Sequence, residues 1–532
     1  MQNKRIVIVG GGTAGWFAAA WLSKYYGKDN SITVVESPTV PKIGVGESVT
    51  PHVEGFFQEL GLNTHHWMKH TGAIYKFANK FVNWKTGTGE SEYFGFNFSV
   101  PASNFYRDIT PATTYEEWAA NPTVERNIDY AFDLCNRGVF PRFDQCFHPH
   151  FHYMEKNVAP FNNGEMLLNG PFSFAQHINA ELAGTYIKDN IAIPNGVHHI
   201  VDTVTEVNHR DSYISSLTLS SGHTIQGDLF VDCTGFSRVL IGKLGWEEHL
   251  YENNPVDAAW VCQTEYDDPA QQMVNYTQSI AEPHGWRFAI GVYNRMGNGY
   301  CFSRKHISEE DALEHFIKQI GPQRRPPRLI KWTPSRLKTF GRGNVAAVGL
   351  SSGFVEPMEA NSLGIIINSI RRLGDTILDT NLENINWDSY DKKMSTFFDN
   401  IANFILVHYT LSERQDTEFW RDMVKFGKDN NHHQWLWDMY YEQNNCMHDI
   451  VNGNNFYPDF MWIQLASGWG ISKLNQQPLD KDIQMLAEKH FQHVENKHQF
   501  IAESRQNNFQ WLKENIFENL TPAEWENQYI KN

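Results

Sequence analysis

Residues 5–36 limit what this chain can fold into more than any other segment. Arg5 to Val9 is rich in Val and Ile and reads as a buried strand. Gly10-Gly11-Gly12-Thr13-Ala14-Gly15 follows as a G-x-G-x-x-G turn, and Trp16 to Tyr25 has helical composition. Ser31 to Val35 is a second apolar strand that ends at Glu36. A glycine turn placed after a strand and before a helix, with an acidic residue about 20 positions on, is the dinucleotide-binding fingerprint. Gly10 permits the tight turn, Gly12 lets the backbone approach a pyrophosphate, and Gly15 lets helix and strand pack closely. Thr13 and Ala14 belong to the helix N-terminus, where free N–H groups and the dipole favour phosphate. Glu36 accepts from the ribose hydroxyls. The fingerprint alone does not separate FAD from NAD.

Two later segments repeat the α/β pattern. Asp228 to Asp232 is a strand followed by Cys233-Thr234-Gly235. Asn344 to Val348 is another, followed by Gly349, Leu350 and the turn-rich Ser351-Ser352-Gly353. A helix opens near Ser362 and runs through Gly364 to Leu378. Return to one nucleotide site from early, middle and late segments is typical of FAD proteins. A helix N-terminus there can stabilise negative charge on a reduced flavin. No second strand–glycine–helix fingerprint marks an NAD(P)H site, so a separate flavin reductase is expected to supply FADH2.

At 532 residues the chain exceeds one simple core, and two interleaved domains are the prior. Hydrophobic residues at 41% and charged residues at 20% fit a soluble globular class. The 45 basic and 61 acidic residues leave a net charge of −16, which disfavours nucleic acid and anionic membrane as partners. The six cysteines show no CxxC spacing, which fits a reduced, cytoplasmic protein. The apolar stretch 6–22 after Lys4 and Arg5 imitates a signal peptide, but its glycines serve the nucleotide motif. No other stretch approaches the roughly 20 apolar residues that span a bilayer.

Several segments, in order along most of the chain, resemble the flavin-dependent tryptophan halogenases. Pro41-Lys42-Ile43-Gly44-Val45-Gly46-Glu47-Ser48-Val49-Thr50-Pro51 is similar to the family's flavin-contacting segment, which implies cofactor contacts at Gly46, Glu47 and Ser48. Asn79-Lys80-Phe81-Val82-Asn83-Trp84 resembles the segment of the family's essential lysine. His177-Ile178-Asn179-Ala180 and Asp232-Cys233-Thr234-Gly235-Phe236 fit the family order. Gly353-Phe354-Val355-Glu356-Pro357-Met358-Glu359 resembles the segment ending in the essential glutamate. His408-Tyr409, Arg414, Asp416-Thr417 and Phe419-Trp420 resemble a signature of its C-terminal helical part. The resemblance implies an enzyme that uses reduced FAD, oxygen and halide to make a hypohalous acid, which passes through a tunnel to Lys80. An ammonium there hydrogen-bonds the hypohalous acid or forms a haloamine, polarising the halogen. Glu359 would orient the lysine and accept the ring proton.

Three stretches depart from the family pattern. The W-x-W-x-I-P of tryptophan-specific members corresponds to Trp286-Arg287-Phe288-Ala289-Ile290-Gly291. In the family this motif keeps substrate from the flavin and excludes monooxygenation, so its change bears on substrate identity more than on reaction type. The family's H-x-F-G corresponds to Glu92-Tyr93-Phe94-Gly95, which keeps Phe94 as a stacking face and puts Glu92 at the His position. After the glutamate the family reads S-T-G, whose amides help hold halide; Ala360-Asn361-Ser362 stands there, so Asn361 and Ser362 are the halide candidates. No reader for the charged groups of free tryptophan is assigned. A less polar indole, a phenol or another electron-rich aromatic is expected.

His148, His150 and His152 alternate after Cys146, which on an extended strand would place them on one zinc-binding face. Pro149 and the neighbouring aromatics favour a loop or edge strand there, and no metal is expected. His198-His199 and His432-His433 are adjacent pairs that do not share a face and are taken as structural. Trp435, Trp437, Trp462 and Tyr440-Tyr441 line either an aromatic pocket or a helix-packing core. The expected architecture is an α/β FAD-binding module with a mixed sheet, similar to flavin monooxygenases, from residues 1–90 and 165–378. A substrate-covering part, mainly helical towards its end, comes from 91–164 and 379–532. The rivals are an FAD-dependent aromatic monooxygenase, which needs the same cofactor but not Lys80, and a flavoprotein that binds FAD without turnover. Oligomeric state is left open.

Overall fold

The computed structural model describes residues 3–40, 47–88, 91–95, 150–159, 161–162, 165–166, 174–441, 456–457, 502–531 and single positions between 461 and 500. For 91–95, 150–151, 161–162, 165–166 and 437–441 only the backbone is described. The chain divides into two compact units: residues 1–73, 177–257 and 330–402, and residues 74–176, 258–329 and 403–532. The elements that position the site begin with β1 (Arg5–Val9), α1 (Thr13–Tyr26), β2 (Ser31–Glu36) and β3 (Glu47–Ser48). β4 (Ala78–Val82), β5 (Ser91–Gly95), α2 (His150–Glu155), β6 (His198–Val201) and β7 (Leu229–Asp232) follow. Then come β8 (Ala258–Thr264), β9 (Tyr276–Glu282), β10 (Gly285–Val292), β11 (Arg295–Phe302), β12 (Gly341–Arg342) and β13 (Val345–Ala347). α3 (Asn361–Thr380), α4 (Asp388–Thr410) and α5 (Glu418–Asp429) are the helices that matter later in the chain.

The first unit is built on a sheet in the order β6-β2-β1-β7-β13-β12. Its strands are parallel except β12, which returns antiparallel to β13. Ile6, Ile8, Val34, Leu229, Phe230 and Val231 are fully buried. Continuous apolar runs of this kind belong to a parallel sheet covered on both faces. The expected strands and the late helix stand where the sequence placed them, with shifts of one or two residues at their ends. The fold is the mixed-sheet α/β class that was expected.

The second unit holds six neighbouring strands of a seven-stranded sheet, in the order β8-β11-β10-β9-β4-β5. β9 pairs parallel with β4 and antiparallel with β10. This pairing brings 74–88 and 258–329 into the second unit, whereas the sequence division had placed them with the nucleotide end. The reason is backbone pairing: Gln278 lies opposite Lys80, across about two hundred residues of chain. His150–Glu155 is α-helical, which corrects the loop or edge-strand reading, and a strand-like sharing of one face by His150 and His152 does not arise. His148 and Cys146 lie outside the described residues, as do 41–46 with Gly46. Among the described residues no helix is long and apolar enough to cross a membrane.

Candidate active site

In the first unit, Gly10 and Gly15 of the turn are required for different physical reasons. Gly10 adopts φ +113°, and a Cβ there would lie 2.3 Å from the Cys233 carbonyl oxygen on the neighbouring crossover. A Cβ on Gly15 would lie 1.8 Å from the Gly10 carbonyl oxygen. Gly12 faces open space, with nothing within 4 Å of a built Cβ. The α1 N-terminus carries no side-chain cap and no acidic residue in its first turn. Its donors, including those of Thr13 and Ala14, are therefore left for an external anion. The Glu36 carboxylate lies at the end of β2 beside Gly11, and His199 Nε2 donates to its Oε2 at 2.9 Å. This cradle fits the pyrophosphate and ribose of FAD. His199, taken as structural from sequence, fixes the Glu36 carboxylate; its place on β6 beside β2 is long-range information.

Asp232 ends β7 and is fully buried. It accepts from the N–H groups of Thr234, Leu240 and Ile241 at 3.0, 2.9 and 2.9 Å, from the Thr234 hydroxyl at 2.6 Å and from Ser351 Oγ at 3.2 Å. The carboxylate ties the middle crossover to the turn of Gly349 and Leu350, where Gly349 adopts φ +75°. Asp232→Ala strands these buried donors and is expected to cost about 2–4 kcal/mol. A fall in the urea midpoint at unchanged slope checks this.

β3 pairs Glu47 with Ile178 and Ser48 with His177. Burial pushes the Glu47 carboxyl up from 4.5 to about 7. Burial and the Arg371 charge push the nearby His52, hydrogen-bonded to Thr50 Oγ1, down to about 4. A carboxyl raised in the folded state binds more protons than in the unfolded chain between these values. Its stabilisation is therefore full below 4.5 and lost as pH rises through 7. The Glu47→Gln variant removes this loss. Its stability advantage over wild type should grow from near zero at low pH to about 2–3 kcal/mol by pH 8. Apoprotein denaturation at several pH values checks it; a constant difference would contradict it.

Glu359 and Ala360 adopt consecutive left-handed conformations, at φ 62° and 58°. For non-glycine residues such backbone costs about 1–3 kcal/mol each and is concentrated at functional sites. Asn361 Nδ2 holds the turn by donating to the carbonyls of Glu356 and Met358 at 3.1 and 2.8 Å. Glu359 is buried within it. α3 starts at Asn361 with no side-chain cap and no acidic residue in its first turn, so its opening backbone donors, those of Asn361 and Ser362 among them, favour an anion.

In the second unit, Lys80 sits in the middle of β4 between buried Asn79 and Phe81. Its side chain is only 21% exposed. Nζ lies 3.6 Å from Glu155 Oε1 and 5.3 Å from the centre of the Tyr276 ring. This is not a solvated surface lysine. Phe94 stands opposite Lys80 in the β4–β5 register, while the side chains of Phe94 and Glu92 lie outside the described residues. The C-terminal signature clamps the exit of β4. Trp84 Nε1 donates to the Ser279 carbonyl at 2.9 Å, and Ser412 Oγ donates to the Trp84 carbonyl at 2.7 Å. Arg414 donates to the Asn83 carbonyl at 3.0 Å, grips Asp416 and covers the Trp420 ring. His408 stacks on Phe81 at 5.0 Å. These signature residues position the lysine strand.

The tryptophan halogenase family model matches residues 5–484. The chain belongs to the tryptophan halogenase family. Similar curated proteins include the tryptophan 7-halogenase RebH of Lentzea aerocolonigenes, 32% identical over 432 residues, 78% of each chain. The tryptophan 6-halogenase ThaL of Streptomyces albogriseolus is 31% identical over 439 residues, 79% of this chain and 78% of that one. A flavin-dependent halogenase from Xanthomonas campestris superposes with TM-score 0.79 at 25% identity, covering 97% of this chain and 98% of that chain. The protein is a flavin-dependent halogenase. FAD is its cofactor, halide a co-substrate, and a separate flavin reductase the source of FADH2.

The halogenase differs from the family's W-x-W-x-I-P within β10, and the surroundings are adapted to the change. Phe288 packs onto Gly299 of β11, where a Cβ would come 2.1 Å from the ring. Gly291 stands where the family has proline, and the Tyr266 hydroxyl, donating to the Val292 carbonyl at 2.8 Å, fills the adjoining space. A Cβ at 291 would lie 2.6 Å from that hydroxyl. Trp435 and Trp462 meet edge to face at 5.7 Å, and Trp462 packs on Phe404 at 4.7 Å, which favours helix packing for this pair. The side chains of Trp437, Tyr440 and Tyr441 lie outside the described residues.

Proposed function

We propose that this halogenase acts on an indole-like or phenol-like ring less polar than free tryptophan, with Lys80 delivering the halogen. The observation that carries the reading is the Lys80 ammonium, largely shielded from solvent between a carboxylate and an aromatic face. The altered β10 motif supports a ring other than tryptophan's. FAD would lie on the first unit, held by Gly10, Gly12, Gly15, Glu36, Gly46, Glu47, Ser48, Gly349 and Leu350, and when bound in reduced form it supplies hypohalous acid from oxygen and halide. The backbone donors of Asn361 and Ser362 would hold the halide, and Phe94 and Glu92 would face the ring.

The chemistry at the ring balances without further reagents. The carbon–halogen bond forms as the halogen–oxygen bond breaks. Lys80 gives a proton to the departing oxygen, releasing water, and the ring proton goes to Glu359. A cytoplasmic location and transient supply of FADH2 complete the proposal. The rival outcome at the bench is an aromatic monooxygenase, which would use the same cofactor but not Lys80. A substrate panel run with and without halide separates the two: halogenated product only with halide supports the first, and an oxygenated product without halide supports the second.

A further inference from the structure

The Lys80 ammonium faces a carboxylate on α2 of its own unit, Glu155, that the family pattern did not predict. We infer that Glu155 is a positioning residue for Lys80, acting in addition to Glu359. The inference rests on the reading of Lys80 as the residue that receives the oxidant.

The placement of Glu155 comes from the backbone. Asn275, which is fully buried, ties two elements together at the entry to β9. Its carbonyl accepts from the Phe77 N–H at 2.8 Å, just before β4. Its Nδ2 donates to the carbonyls of Tyr153 at 3.2 Å and Val158 at 2.9 Å, at the end of α2. Asn157 terminates that helix at φ 46° and anchors it through Nδ2 to the Ala270 and Met273 carbonyls. His152, Tyr153 and Met154 are buried, and Glu155 emerges beside Lys80 with 47% of its side chain exposed. One buried asparagine thus sets both the start of the lysine strand and the helix that carries the carboxylate.

The geometry suits aiming rather than stability. With Glu155 half exposed, the pair adds little to folding. At 3.6 Å the contact is an ion pair rather than a hydrogen bond, and it restrains the position of the charge. The Tyr276 ring limits the ammonium from another direction. Together the two contacts fix where the ammonium sits.

The test compares the full-length, FAD-loaded wild type with Glu155→Gln, Glu155→Asp and Lys80→Ala, using the ring that wild type halogenates fastest and a β-diketone trap for escaping hypohalous acid. The Gln variant should keep flavin reoxidation and melting temperature, lose about tenfold in halogenated product per flavin oxidised, and release the missing halogen to the trap. The Asp variant should recover part of the loss. In apoprotein, acylation of Lys80 by an amine-selective reagent, read by mass spectrometry, should rise severalfold in the Gln variant as the restraint is removed. Unchanged product per flavin and unchanged acylation in Glu155→Gln, while Lys80→Ala is inactive, would overturn this inference alone. A Lys80→Ala enzyme that still halogenates would overturn the Lys80 assignment and this inference with it.

Discussion

Lys80→Ala is expected to bind FAD and reoxidise reduced flavin like wild type while losing ring halogenation by at least about 10³-fold. The expectation follows from where the residue sits. Its side chain lies in the second unit, against Glu155 and Tyr276, whereas the glycine turn, Glu36 and the Gly349 turn belong to the first. Hypohalous acid would still form but would meet no ammonium to polarise its halogen. Truncation leaves the β4 ladder and the Trp84 clamp in place, because their bonds are made by backbone and by other side chains. Stability should change little. Stopped-flow flavin oxidation alongside product analysis checks this; loss of FAD binding in the variant would remove Lys80 from its assigned role.

Glu359→Gln is expected to lower halogenation by about 10²–10⁴-fold if the carboxylate accepts the ring proton. Gln keeps the size of the side chain and can hydrogen-bond, so it separates proton transfer from packing. The left-handed turn should survive, since Asn361 bonds to the Glu356 and Met358 carbonyls and holds it. Flavin binding should therefore persist. Single-turnover product formation with preformed hypohalous acid is the direct check, and an undiminished rate would take Glu359 off the catalytic path.

The nucleotide end was legible in the sequence because its determinants are local. Turn, helix start and acidic strand end fall within residues 5–36, and Gly10 and Gly15 are demanded by close contacts the motif implies. What stayed hidden was long-range or conformational. The parallel pairing of β4 with β9 joins residues about two hundred positions apart, and no local periodicity encodes it. That pairing is why the unit boundaries differ from the sequence division, and why the scattered signature of His408, Arg414 and Trp420 converges on the exit of the lysine strand. Glu155 was missed for the same reason, and the alternating histidines before it drew attention to an extended chain where a helix forms. The left-handed pair at Glu359 and Ala360 has no sequence signal, since neither residue favours that conformation.

The most direct test of halogenase chemistry centred on Lys80 is a mass-spectrometric turnover assay. Wild type and Lys80→Ala would be given FAD, a generic flavin reductase, NADH and a panel of indoles and phenols, with chloride, bromide or iodide in turn, catalase, and a hypohalite trap. A halogenated ring that requires halide and is made by wild type but not by Lys80→Ala is the predicted result. An oxygenated ring formed without halide, or equal halogenation by both proteins, would contradict it.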